Sequence, residues 1–383
     1  MLLNNNWRQT LLKTKKAKPT NLHDYLLQLP RPEPSAGLDF YRQIKGEAIS
    51  FEKRRKENYE KYLAAKKGGL VDYLPIKLDI ENVSRCNFAC EFCIVSKWEK
   101  RQRAADMSLD DFKNIVDTQY GLIEIKLNGL GEPTLQGDDF FEMIKYARQK
   151  KIWVRITTNA SLLHLRDNYK KLVDSDVCEV DISIDGYNKE KYEKIRVGGK
   201  YEITMENCKR LNEYGEEQGK KRTKMWTLVQ RENFNDLERH VELARDLKFD
   251  NLVFSLDLHG WGNDDLLKRN LSITVNEQLT VERVDSLLRL ADDCGVKLAF
   301  WNVSTKFDHK KPETRCPWPF ERAVISSDLK VVPCCMVADP NAFHFKPKAS
   351  LTEVWKGEEY QKFREQHING DIPPICLDCY KKN

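Results

Sequence analysis

The 383-residue chain has no apolar run approaching the ~20 residues that a membrane-spanning helix requires. Its start, Met1-Leu-Leu-Asn-Asn-Asn-Trp7, is too polar for the apolar stretch of a secretory signal. Charge of one sign is also lacking: 64 basic residues against 59 acidic ones leave a formal net charge of +5, which argues for solubility and against a nucleic-acid partner. No internal repeat or low-complexity tract breaks the pattern. These absences predict a cytoplasmic protein with no membrane attachment. In that compartment thiols stay reduced, so the eleven cysteines suit metal or redox use better than a disulfide framework. The length and 40% hydrophobic content allow one large core with a smaller accessory domain, or two medium ones.

Three of those cysteines stand in Asn82-Val-Ser-Arg-Cys-Asn-Phe-Ala-Cys-Glu-Phe-Cys93, which places Cys86, Cys90 and Cys93 in a Cys-x-x-x-Cys-x-x-Cys loop with Phe92 beside the last thiol. Iron–sulfur clusters are normally held by four thiolates. A three-thiolate loop suits a cubane with one iron left open to another ligand. The alternative, a structural zinc knuckle, needs four closed ligands, and the nearest further candidates are the distant His164 and Cys178.

From Leu70 onward, short β-branched runs alternate with amphipathic helical patterns. Strands are predicted over 76–83, 122–129, 153–160, 179–185, 224–230 and 251–259. Helices are predicted over 108–120, 138–150, 201–218 and 236–247, with Ser108 and Asp236 as N-caps. Six βα units in a row imply an α/β fold with a parallel, curved sheet and helices outside. Residues 1–70 read as a helical extension packed on the outside of the barrel. It carries a basic stretch at 13–18, an extended linker at 30–35 and a charged helix over 49–67.

The cysteine loop resembles the cluster loop of the radical S-adenosylmethionine (radical SAM) superfamily. That resemblance implies a partial (β/α)6 barrel over 71–305, with a [4Fe-4S] cluster whose open iron is chelated by SAM at the C-terminal ends of the strands. Phe92 would lie beside the adenine. Asn128-Gly-Leu-Gly-Glu-Pro133 is similar to the family's Gly-Gly-Glu-Pro motif and implicates Gly129, Gly131, Glu132 and Pro133, although Leu130 stands where many members have a second glycine. Thr157-Thr-Asn-Ala160 is similar to Thr-Asn-Gly and implicates Asn159. Strand alternation in Asp181-Ile-Ser-Ile-Asp-Gly186 puts Ser183 and Asp185 on one face, for the ribose and methionine ends. Gln230 at the fifth strand end completes the implied contacts, and Arg196 would pair with the SAM carboxylate.

The tail, 306–383, resembles the SPASM or shortened twitch extension of radical SAM enzymes. Cys316-Pro-Trp-Pro-Phe320 precedes a predicted hairpin, Ala323-Val-Ile-Ser-Ser-Asp-Leu-Lys-Val-Val-Pro-Cys-Cys335. A helix around Leu351-Thr-Glu-Val-Trp-Lys-Gly357 follows, and Cys376-Leu-Asp-Cys379 ends the pattern. A full SPASM region holds two clusters and needs more thiols than these five, so one auxiliary [4Fe-4S] cluster is expected, on Cys316, Cys334, Cys376 and Cys379. Cys335 would then turn away from it. A zinc ribbon is the alternative. Cys178, Cys208 and Cys294 read as buried small hydrophobes.

The resemblance implies an oxidoreductase or epimerase. A one-electron donor such as flavodoxin or ferredoxin would reduce the first cluster, and SAM cleavage would give a 5′-deoxyadenosyl radical that takes hydrogen from an unactivated C–H. An electron passing to the auxiliary cluster would give oxidation, whereas hydrogen returned by Cys335 as the catalytic donor would give epimerisation. With no evident leader-binding module, a small polar substrate is expected: a sugar, an aminocyclitol or a nucleotide-linked sugar. Asp257 and His259 would bind its hydroxyls, with Trp261 stacking beside them. The alternative is a maturase of a ribosomally made peptide, and the alternative of another class is a non-catalytic zinc or iron–sulfur module.

Overall fold

The computed structural model describes residues 21–29, 31–65, 67–69, 71–302 and 307–380, so the basic stretch at 13–18 lies outside the described residues. Seven parallel strands run side by side in chain order: β1 (Lys77–Ile80), β2 (Glu124–Leu127), β3 (Trp153–Thr158), β4 (Glu179–Ser183), β5 (Thr223–Leu228), β6 (Asn251–Ser255) and β7 (Lys297–Trp301). The six predicted strands are β1 to β6, and β7 extends the ladder beyond them. The tail adds β8 (Arg322–Ile325), parallel to β1 on its free edge, and β9 (Val331–Val332), antiparallel to β8. No helix among the described residues is long and apolar enough to cross a membrane.

Alternation sorts each strand into two faces. Leu78 and Ile80, Ile125 and Leu127, Val154 and Ile156, and Val180 and Ile182 are buried in one core with Phe112, Phe140, Ile144 and Leu172 of the covering helices. The intervening residues, among them Asp79, Glu124, Arg155, Asp181 and Lys224, turn to the concave side. The sheet is thus apolar outward and charged inward, a partial barrel with a polar lumen.

Each ladder stops two to four residues before the predicted strand end. The sequence runs on because the residues beyond are themselves buried: Val83, Ile184, Val229, Leu256 and Leu258 lie in the core, and Ile184, Val229 and Leu256 still donate backbone N–H to the neighbouring strand. Ser108 caps its helix, its hydroxyl accepting from Asp111 N at 3.0 Å. Asp236 occupies the cap position of Leu237–Asp246 without a side-chain cap bond, because a 3-10 turn, Phe234–Asp236, leads into that helix and the carboxylate pairs with Lys191 at 3.7 Å.

The N-terminal region departs from expectation in form and place. In place of one helix over 49–67, two helices, Leu38–Ser50 and Lys53–Ala65, meet at a break around Phe51-Glu52. They lie across the N-terminal ends of the strands rather than along the barrel's outside. Tyr41 and Phe40 pack on Trp153 at the start of β3, Ala48 clusters with Ile76 and Ile123, and Tyr41 Oη donates to Glu124 at 3.2 Å. The barrel bottom is closed, and the opposite end is left for chemistry.

The closure turns on Arg55, which is 1% exposed. Its guanidinium donates to the carbonyls of Tyr120 (2.9 Å), Ala48 (3.1 Å) and Lys150 (2.8 Å), joining the helix pair to the loops ahead of β2 and β3. An arginine cannot shed its charge, so these carbonyls are what makes its burial tolerable. Arg55→Met should therefore cost about 2–4 kcal/mol of stability, read as a lower urea midpoint with unchanged far-ultraviolet dichroism. A midpoint within error of the wild type would remove Arg55 from this role.

Candidate active site at the barrel mouth

The loop that leaves β1 carries Cys86, Cys90 and Cys93 to the mouth, where Cys90 is buried and the other two half-buried. Neighbouring strand-end loops grip it. Glu132 N donates to Arg85 O at 2.9 Å, and a Cβ on Gly131 would lie 2.4 Å from Val83 O, so only glycine lets the β2 loop lie this close. From the β3 end, Asn159 Nδ2 donates to Asn87 Oδ1 at 3.0 Å, and Asn87 Nδ2 donates to Ser161 Oγ at 2.8 Å. Ala89 N donates to Val197 O at 2.8 Å. Asn270 closes the far side, its amide donating to Phe92 O at 2.9 Å and to His259 O at 2.6 Å.

Several residues implied as SAM contacts are engaged with one another. The Glu132 carboxylate accepts from Thr134 Oγ1 (2.6 Å), Thr158 Oγ1 (2.6 Å) and Asn159 N (2.7 Å). It ties the β2 end to the β3 end, and only backbone remains there to meet a ligand. The Asn159 side chain is likewise spent on Asn87 and Ser161. Arg196, expected on the SAM carboxylate, pairs with the fully buried Asp185 at 2.6 Å and lies 5.3 Å from the Phe92 ring centroid. Asp185 also accepts from Leu228 N at 2.7 Å. Pro133 opens the turn Pro133–Gln136, and Asn82 donates to its carbonyl at 3.1 Å. Ser183 is half-buried at the end of β4 on the lumen face.

What the mouth leaves unspent fits the implied cofactors. Three thiols stand on one loop, a Cβ on Gly129 would meet Glu81 at 2.3 Å, and the buried Gln230 Nε2 and Asn128 Oδ1 have no hydrogen-bond partner. His164, the distant fourth candidate, is engaged with Asn207 at 3.1 Å. Burial pushes the Cys93 thiol up to about 11, so iron is needed to hold it as thiolate at neutral pH.

Glu81, Arg103 and Asp328 were not singled out in the sequence, yet they join the mouth to the tail. Arg103 donates to Glu81 Oε2 and to Asp328 Oδ1, each at 2.7 Å. Glu81 in turn accepts from Leu130 N (3.3 Å) in the glycine-rich β2 loop and from Ser327 N (3.1 Å) in the β8–β9 turn.

In the tail, Cys376 and Cys379 share the turn Pro374–Cys379; Cys316 lies near both, and Cys334 near Cys316 and Cys376. Cys334 and Cys335 follow β9 rather than ending it. Cys334 is extended and Cys335 begins the 3-10 turn Cys335–Val337, so a turn, not strand alternation, separates their surroundings. The charges facing Cys335 are Asp79, Lys126, Arg322 and Arg155 of the lumen. Among the described residues no three Cys, His, Asp or Glu side chains converge closely enough to share a single metal ion. Tyr380 Oη accepts from Cys316 N at 3.2 Å and lies 2.7 Å from His367 Nδ1. Arg364 lies against both Trp355 and Tyr360, with centroid distances of 4.3 and 4.2 Å. Of the remaining cysteines, Cys178 and Cys208 are buried, but Cys294 is half-buried at a helix C-cap, 3.9 Å from Arg245.

Asp257 and His259 follow β6, both half-buried. Burial lowers the His259 imidazole to about 4, so it is neutral at physiological pH, and its ring centroid is 6.4 Å from that of Trp261. Trp261 O accepts from Asp339 N at 3.4 Å, which turns this loop toward the tail. Inside the lumen, acids and bases are interleaved: Lys224 pairs with Glu179 (2.6 Å) and Asp181 (4.0 Å), and Arg322 with Asp79 (3.5 Å) and Glu124 (3.4 Å). Trp226 of β5 and Trp301 of β7 face the same space, their centroids 6.4 Å apart.

Two family profiles match the chain: the radical SAM superfamily over residues 82–244, and the iron–sulfur cluster-binding SPASM domain over 316–380. The second sets aside the zinc ribbon. The tungsten-containing aldehyde ferredoxin oxidoreductase cofactor-modifying protein of Pyrococcus furiosus is 28% identical over 340 residues, 79% of this chain and 86% of that one. PqqA peptide cyclase of Bradyrhizobium diazoefficiens is 23% identical over 80% of this chain and 79% of its own. The crystal structure of Streptococcus suis SuiB bound to precursor peptide SuiA matches with a TM-score of 0.61 at 18% identity, covering 84% of this chain and 73% of that one.

Reconstituted protein is expected to hold about eight irons, falling to about four in Cys90→Ala with loss of SAM cleavage, and to about four in a Cys376→Ala/Cys379→Ala variant. Iron content unchanged in the double variant would remove the tail thiols as ligands. Glu81→Gln should keep its iron but weaken SAM binding on the order of tenfold, because Leu130 N and Arg103 lose a shared anion. Unchanged SAM affinity by calorimetry would make Glu81 merely a docking residue for the tail.

Proposed function

Because the chain belongs to the radical SAM superfamily and carries a C-terminal SPASM domain, we propose that it is a maturase that modifies a side chain of a ribosomally made peptide. This reading replaces the small polar substrate expected from the sequence. The observation that carries it is the match over four-fifths of the chain to a relative named a peptide cyclase. The fold shared with a precursor-peptide complex is compatible with it.

Bound at the mouth, a [4Fe-4S] cluster with SAM supplies a 5′-deoxyadenosyl radical able to take hydrogen from an unactivated C–H. The chain's own residues do the positioning. Cys86, Cys90 and Cys93 would hold the cluster, while Gly129 and Gly131 let backbone approach the ligand. Gln230 Nε2 offers a buried donor, and the Asp185–Arg196 pair with Phe92 forms a fixed wall. The helix pair over the barrel bottom makes the lumen a blind space, which limits water near a radical carbon. Cys316, Cys334, Cys376 and Cys379 would hold one auxiliary cluster as electron acceptor, giving oxidation or cross-linking. Cys335, with the lumen charges around it, would be the group to return hydrogen if the outcome were epimerisation.

The test is anaerobic incubation of reconstituted enzyme with SAM, reductant and short peptides encoded beside its gene, with a sugar and aminocyclitol panel alongside. Peptide-dependent 5′-deoxyadenosine and a peptide lighter by two hydrogens are expected. Product formed only from the sugar panel would overturn the peptide reading. Unchanged mass with one solvent deuterium incorporated in D2O, lost in Cys335→Ala, would identify epimerisation.

A further inference from the structure

We propose that Lys126 and Arg155 form a carboxylate-binding site in the barrel lumen, which takes an acidic side chain of the substrate. The two residues are direct partners across the β2–β3 ladder, so their side chains stand next to each other on the concave face. Neither makes an ion pair or side-chain hydrogen bond among the described residues. This sets them apart: Lys224 and Arg322 between them already hold the four lumen acids, Glu179, Asp181, Asp79 and Glu124. Lys77, a further cation of this face, is also paired, with Glu321 at 3.4 Å and Glu124 at 3.8 Å. Arg155 is near several of these carboxylates, and they keep it charged, yet none comes within ion-pair distance and its buried Nε has no acceptor.

The surrounding acids hold the half-buried guanidinium charged, but its inner Nε has no acceptor and the half-buried ammonium beside it has no ion-pair partner, so an incoming anion would complete both. A guanidinium fork matches a carboxylate geometrically, and the lysine adds a movable second charge. Place supports the same conclusion. Lys126 lies two residues before Asn128-Gly129, and Arg155 two before Thr157 at the β3 end, so an acid seated here sits below the mouth with its chain running up toward the SAM-facing residues. Cys335 faces the same two cations. The peptide carrier of the acid rests on the function proposed above, whereas the carboxylate site does not.

The experiment is calorimetry on reconstituted holoenzyme with SAM, using acetyl-Ala-Glu-Ala-amide, its Gln counterpart, and glutarate. The Glu peptide should bind on the order of tenfold more tightly than the Gln peptide. Arg155→Gln and Lys126→Gln should each erase the preference while keeping wild-type iron content and SAM affinity. Equal binding of the Glu and Gln peptides by the wild type, or no binding of any probe, overturns the site. A preference that survives both variants overturns it as well. Glutarate binding without peptide binding supports the site and removes the peptide reading instead.

Discussion

The structure depends on a sheet that is buried on both faces but with opposite chemistry on each. Outward, aliphatic side chains pack under the helices, where removal from water is the driving force. Inward, the same strands present acids and bases to a lumen closed at its base. Burying charge is expensive unless it is paired. The fold meets that cost by register: parallel strands bring Glu179 to Lys224 across β4 and β5, and Asp79 to Arg322 across β1 and β8. One consequence is that β8, a strand of the tail, supplies a cation that two core acids use. The tail is therefore part of the barrel's charge balance, not an appendage beside it.

The same logic organises the mouth. Strand ends leave backbone groups unpaired, and here carboxylates collect them: Glu132 takes donors from the β2 and β3 ends, and Glu81 takes donors from the β2 loop and the β8–β9 turn. Each carboxylate exchanges water for several fixed donors, which makes the loop geometry stiff before any ligand arrives. Preorganisation of this kind is what a site guiding a radical requires, since a misplaced C–H is not corrected later. It also explains why several residues read from sequence as ligand contacts are consumed internally. Asp185 and Arg196 hold each other, with the guanidinium over the Phe92 ring.

Much of this was legible in the sequence. The six strand patterns, the cysteine loop and the tail thiols rest on local spacing, which survives folding unchanged. What was not legible depends on which way a pattern faces. Glu124-Ile-Lys-Leu and Trp153-Val-Arg-Ile-Thr-Thr alternate charged and apolar residues, the usual mark of a half-exposed strand. Nothing local reveals that the charged face turns into a lumen, so Lys126, Arg155, Trp226 and Trp301 passed unnoticed. Glu81 and Arg103 escaped for a related reason: their respective tail partners, Ser327 and Asp328, are more than two hundred residues away. The helix break at Phe51-Glu52 was hidden by a continuous run of helix-forming residues on both sides.

The adjacent thiols Cys334 and Cys335 show how far a small backbone feature carries. On a continuous strand the pair would differ only by facing opposite sides of one sheet. Here Cys334 remains extended while Cys335 enters a 3-10 turn, and that bend sends one sulfur toward Cys316 and Cys376 and the other toward the lumen charges. Two groups with opposite uses, an electron acceptor's ligand and a hydrogen source, would thus stand one peptide apart at the boundary between tail and barrel. The turn is held from both sides, by β9 pairing with β8 before it and by the Trp261–Asp339 contact after it. Whatever fixes the tail on β1 therefore also fixes where Cys335 points, so under the proposed function docking of the tail would bear on the outcome as much as the identity of the thiol.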